Sequence, residues 1–129
     1  MTLELVEAWF NKLPEAEKDL PLLMVERVAY TPRQTLDQVR RDTSLGKSLQ
    51  SLIERGSFGT LATDELNLAK IRLKEQLSRS TGKVVELQGV APRVLTPLDL
   101  ISEIDRNTPT GQRWIKAEME QMQALVRIR

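Results

Sequence analysis

A chain of 129 residues, 40% apolar but only 4% aromatic, is long enough for one domain with a core of Leu, Val and Ile and too short for two of ordinary size. Acidic and basic residues nearly cancel, 18 against 19, which excludes a whole-molecule field for nucleic acid or anionic lipid, so that such binding needs a local patch. The absence of histidine and cysteine excludes Ser-His-Asp and Cys-His catalysis, disulfides and the usual zinc ligand sets.

From the N-terminus, Leu3, Val6, Trp9, Phe10 and Leu13 recur at helical spacing behind Thr2 as a cap and before Pro14, which predicts an amphipathic first helix. Leu20 to Tyr30 reads either as a strand or, over Leu20 to Ala29, as a helix with Pro21 in its first turn. Thr31-Pro32 starts a helix, because threonine accepts N–H bonds at the cap and proline suits the first helical position. Gln34 completes a capping box, Leu36 and Val39 give the face to bury, and Asp37 one turn before Arg41 supports the opposite face.

Thr43 reads as a second cap, so another helix follows almost without a loop and buries Leu49, Leu52 and Ile53. Gly46 in its first turn costs up to about 1 kcal/mol against alanine, a cost that close backbone approach between the two helices offsets. The glycine-rich Gly56-Ser57-Phe58-Gly59-Thr60 reads as the connection between two halves and as a hinge.

Thr63-Asp64-Glu65 opens a long helix carrying Leu66, Ala69, Leu73 and Leu77, with Leu68 and Ile71 beside them, and ending at Thr81-Gly82. Lys83 to Leu95, with Gly89 and Pro92, is a second Val-containing segment; one strand from each half leaves room for a short two-stranded pairing across a pseudo-twofold axis. Thr96-Pro97 starts the next helix, with Asp99 favourable to its dipole but not the standard capping partner, and with Leu98, Ile101 and Ile104 as its apolar face. Thr108-Pro109 starts the last helix, which carries Gly111 and a stripe of Trp114, Ile115 and Met119.

Compared with itself at an offset of 96 − 31 = 65 residues, the chain aligns Tyr30-Thr31-Pro32, Leu36, Val39, Arg41-Asp42-Thr43 and Gly46 with Leu95-Thr96-Pro97, Ile101, Ile104, Arg106-Asn107-Thr108 and Gly111. The expected fold is therefore mainly α: a single small helical domain, residues 1–129, made of two similar halves of about 1–60 and 61–129. Each half contains a tight helix-turn-helix unit, and the two units are related by an internal repeat.

Chemistry-bearing motifs are weak. Gly46-Lys47-Ser48 resembles the end of a phosphate-binding loop, but Arg41 stands where the first glycine belongs and a capped helix precedes it. Asp99, Glu103 and Asp105 form the best carboxylate group; they read as a dipole-compensating residue and a solvated face, and no metal or cofactor is expected. An enzyme is not expected either.

The N-terminus lacks the pattern of a signal peptide and no stretch approaches the roughly 20 apolar residues of a membrane span, so a soluble, cytoplasmic protein is expected. Its expected function is a non-enzymatic protein-protein interaction module: an adaptor, assembly factor or small regulatory subunit that contacts a protein partner or a second copy through Trp9, Phe10, Phe58, Trp114 and Met122. The alternative is a nucleic-acid-binding regulator using Arg33, Arg40, Arg41 and Lys47 of the first unit and Arg106, Arg113 and Lys116 of the second, disfavoured by Glu54, Glu118 and Glu120 on the second helix of each.

Overall fold

Helical periodicity and threonine caps organise most of the chain. The computed structural model describes residues 3–79, 84–88 and 91–126; the cap assigned to Thr2, the helix end at Thr81-Gly82 and the terminal Arg127-Ile128-Arg129 lie outside these residues. The first helix, α1 (Leu3–Lys12), turns Val6, Trp9 and Phe10 inward, whereas Leu3 at its start is exposed. Pro14 ends the connection and a single helical turn follows, α2 (Glu15–Lys18), whose Glu17 and Lys18 are buried.

Leu20 to Tyr30 is neither a helix nor one strand of a pairing between halves. It folds on itself as an antiparallel hairpin of β1 (Leu23–Val25) and β2 (Val28–Tyr30), with Leu23 opposite Tyr30 and Val25 opposite Val28. The two-residue turn is Glu26-Arg27, and both residues have positive φ, 50° and 67°. That backbone matches the twist of a hairpin but is ordinarily supplied by Asn-Gly, so no turn signal marks it in the sequence. In the second half, β3 (Val84–Gln88) and β4 (Ala91–Leu95) likewise pair with each other, from Val84 opposite Leu95 to Gln88 opposite Ala91. The expected pairing across the halves is thus replaced by one local hairpin in each.

Each hairpin leads directly into a capped helix. At α3 (Pro32–Arg40), Thr31 Oγ1 accepts from the Gln34 N–H at 3.1 Å and Gln34 Oε1 from the Thr31 N–H at 2.9 Å. At α6 (Pro97–Asp105), Thr96 Oγ1 accepts from the Asp99 N–H at 3.1 Å and Asp99 Oδ2 from the Thr96 N–H at 3.0 Å, so Asp99 forms a full capping box after all. The apolar face of α6 also differs from the expected one: Leu100 and Ile104 are buried, Ile101 is half-buried and Leu98 is 77% exposed.

A single left-handed residue, Asp42 or Asn107 (φ 54° and 55°), joins each of these helices to the next, α4 (Ser44–Arg55) or α7 (Pro109–Val126). Thr43 Oγ1 then accepts from the Gly46 N–H at 2.9 Å, and Thr108 Oγ1 from the Gly111 N–H at 3.2 Å. A Cβ built on Gly46 would collide with the Gln38 carbonyl, and one on Gly111 with the Glu103 carbonyl, so both glycines are held by close helix–helix approach. In α7 the buried stripe is Ile115, Met122 and Val126, with Trp114 and Met119 half-buried at its edge.

Between α4 and α5 (Asp64–Ser78), Gly56 ends α4 in the left-handed conformation at φ 67°. The segment after it is not a free hinge: Phe58 is buried, its carbonyl accepts from the Met24 N–H at 2.7 Å, and Gly59 bridges Met24 in parallel. Helix α5 buries Leu68, Ala69, Arg72, Leu73 and Leu77 and leaves Leu66 and Ile71 outward. Helix α1 packs on α3, α3 on α4 and α4 on β1, while α5, α6 and α7 pack together and α5 also meets β1, over one contiguous apolar core that draws on both sets. The Trp9 Nε1–H donates to the Leu125 carbonyl at 2.8 Å and so ties α1 to α7. Among the described residues the protein is mainly helical with two short hairpins, and no helix is long and apolar enough to cross a membrane.

Candidate functional site

The aromatic and methionine residues singled out for partner contact lie mostly inside. Trp9, Phe10, Phe58 and Met122 are buried in the core and Trp114 is half-buried against it, so the folded chain presents none of the first four as open surface. Their size suits the core of a domain with so few large side chains.

Most of the basic residues considered for phosphate contact are engaged by carboxylates. Arg33 donates to Asp19 at 2.9 Å; this contact holds the Asp19 carboxyl below its usual range and the guanidinium above its own. Arg41 lies 3.3 Å from Asp37, Arg40 3.9 Å from Glu7 and Arg106 3.9 Å from Glu103, while Arg113 donates to Thr110 Oγ1 at 3.1 Å. Lys47 and Lys116 are exposed, the first on α4 and the second on α7. The pairings leave little concentrated positive field on either helix pair.

The motif-like segments are consumed by the fold. Gly46 of Gly46-Lys47-Ser48 is buried in the first turn of α4, with its N–H bonded to Thr43. Asp99 caps α6, Glu103 is buried and accepts from the Thr108 hydroxyl, and Asp105 pairs with Lys74. Among the described residues no group of three acidic side chains is arranged to hold a metal ion.

A groove that the sequence did not announce lies where β1, the hairpin turn, the loop before α5 and the first half of α5 meet. It encloses about 570 Å³ and is lined by Met24, Arg27, Leu61, Thr63, Asp64, Asn67, Lys70 and Ile71. Thr63, Asn67, Lys70 and Ile71 share one face of the chain entering α5, at helical spacing. Leu61 is 49% exposed and Ile71 38%, and Val28, next to the lining residue Arg27, is 50% exposed. The floor is built by Asp64: its Oδ2 accepts from the Leu61 N–H at 2.8 Å, and it lies so close to Gly59 that a Cβ there would overlap the carboxylate. Its other oxygen, Oδ1, is buried with no hydrogen-bond partner. Neither Arg27 nor Lys70 is ion-paired to a carboxylate among the described residues, in contrast with the arginines above.

A cluster of buried charge lies elsewhere. Arg72, fully buried on α5, pairs with Glu17 of α2 and with Glu118 of α7 at 2.8 Å, and donates to the Pro21 carbonyl at 3.0 Å. Gln76 supports Glu118 and Gln121 supports Glu17, each at 3.1 Å. The network joins α2, α5 and α7 through one buried arginine.

Sequence reasoning missed both features. A charged residue one turn beyond Leu68 in a buried stripe is a signal for Arg72, but its partners lie 55 and 46 positions away. The groove had a fainter one, Ile71 lying off the buried stripe of α5. No protein-family model, curated protein or solved structure matches this chain.

Proposed function

We propose that this chain is a non-enzymatic protein-interaction module, an adaptor, assembly factor or small regulatory subunit of the cytoplasm. The observation that carries the reading is the groove beside α5, where Leu61 and Ile71 stay exposed on the border of a concave surface of about 570 Å³. Exposed apolar side chains gathered at a concavity mark binding surfaces more often than solvated ones do. The chain holds no histidine or cysteine, which removes the commonest bases, nucleophiles and transition-metal ligands. Nucleic-acid binding is less well supported, because Arg33, Arg40, Arg41 and Arg106 are drawn to carboxylates of the same chain.

The test is affinity capture of the tagged protein from its native cells, with and without nuclease. A stoichiometric protein partner retained after digestion is the expected result. Nucleic acid retained directly, with proteins lost on digestion, would overturn the reading in favour of a nucleic-acid regulator.

A further inference from the structure

We propose that the groove beside α5 receives an acidic segment of a partner protein, with an apolar side chain seated against Met24, Leu61 and Ile71 and flanking carboxylates reaching Arg27 and Lys70. The proposal rests on the interaction reading above and adds the site and the chemistry of the partner.

Charge complementarity decides the occupant. Two cations line the groove without a carboxylate partner among the described residues, whereas Arg33 pairs with Asp19, Arg41 with Asp37, Lys74 with Asp105 and Arg79 with Glu75. The acidic residue of the lining, Asp64, is 2% exposed; its Oδ2 accepts from the Leu61 N–H and its Oδ1 is buried without a hydrogen-bond partner. Arg27 is exposed and Lys70 half-buried, so both cations are accessible to a charged ligand, while Glu26, exposed in the hairpin turn, disfavours too acidic a segment at that end.

Arg27 is held there against its backbone preference. It occupies the second position of a two-residue hairpin turn at φ 67°, a place where glycine would fit without strain. Strained positions that persist are found disproportionately where the side chain serves binding. The apolar part of the lining argues against nucleic acid as the occupant, since it contains no aromatic ring for a base to stack on and only two cations for a phosphate backbone. Thr63 and Asn67 supply a hydroxyl and an amide able to bond the main chain of an extended segment.

The experiment is methyl NMR of the full chain titrated with three short peptides that share a central leucine flanked by glutamates, glutamines or lysines. The expected result is saturable shifts of the Met24, Leu61 and Ile71 methyls, strongest with the glutamate peptide. Binding should weaken about tenfold in the Arg27→Gly, Lys70→Ala double variant, the size of two surface charge contacts. Arg27→Gly relieves backbone strain, so weaker binding in a variant that melts no lower than the parent separates recognition from unfolding. Equal binding of the three peptides, shifts elsewhere on the molecule, or the same methyls shifting with protein concentration alone would overturn the proposal, the last by making a second copy the occupant. If the double variant captures the cellular partner as well as the parent does, this groove is excluded and the wider interaction reading stands; if the parent captures no protein, the wider reading falls.

Discussion

Single residues fix the tightest points of this structure. Gly46 and Gly111 were legible as close-approach glycines because a helix start that spends a glycine in its first turn needs a reason, and the neighbouring carbonyls of Gln38 and Glu103 supply it. Gly46→Ala and Gly111→Ala are each expected to lower stability by about 2–3 kcal/mol in urea unfolding, the cost of overpacking against backbone that cannot yield. Arg72 was not legible, since nothing local tells a buried arginine from a solvated one when Glu17 and Glu118 come from distant helices. Arg72→Met should cost about 3–5 kcal/mol by leaving two buried carboxylates uncompensated, and a loss under 1 kcal/mol would show that water reaches the network. At the surface, the Arg33 guanidinium holds the Asp19 carboxyl low, so its contribution is present above the unfolded-state value and is lost as pH falls through the depressed folded one. Asp19→Asn should therefore flatten the acid limb of stability against pH, and an unchanged limb would contradict the pairing.

At the scale of elements, what was legible is what is local. The threonine caps, the proline at the first helical position and the short α3–α4 and α6–α7 junctions depend on residues within one or two turns, and the structure places them at Thr31, Thr43, Thr96 and Thr108. Faces were less secure: in α6 the periodicity of Leu98, Ile101 and Ile104 competed with that of Leu100 and Ile104, and packing against α5 and α7 selects the second. The first hairpin was half legible, because Leu20 to Tyr30 has strand-like composition but turns through Glu26-Arg27. Replacing that pair by Asn-Gly should raise stability by about 1–2 kcal/mol in thermal or urea unfolding. A fall instead would mean that the side chains of Glu26 and Arg27 hold the turn.

For the molecule as a whole, the two helix pairs, the two hairpins and α5 meet in one core, and the surface left over contains the groove that neither composition nor periodicity could place. Its residues come from β1, the turn, the loop before α5 and α5 itself, so only the folded chain assembles it. The central claim is that this groove is where the chain meets a protein. The most direct measurement installs a photo-crosslinking residue at Leu61 in living cells, with the same residue at exposed Lys116 on α7 as the comparison. The expected result is a discrete crosslinked protein from position 61 and none from position 116. Crosslinks to nucleic acid, or to protein from position 116 alone, would contradict the account.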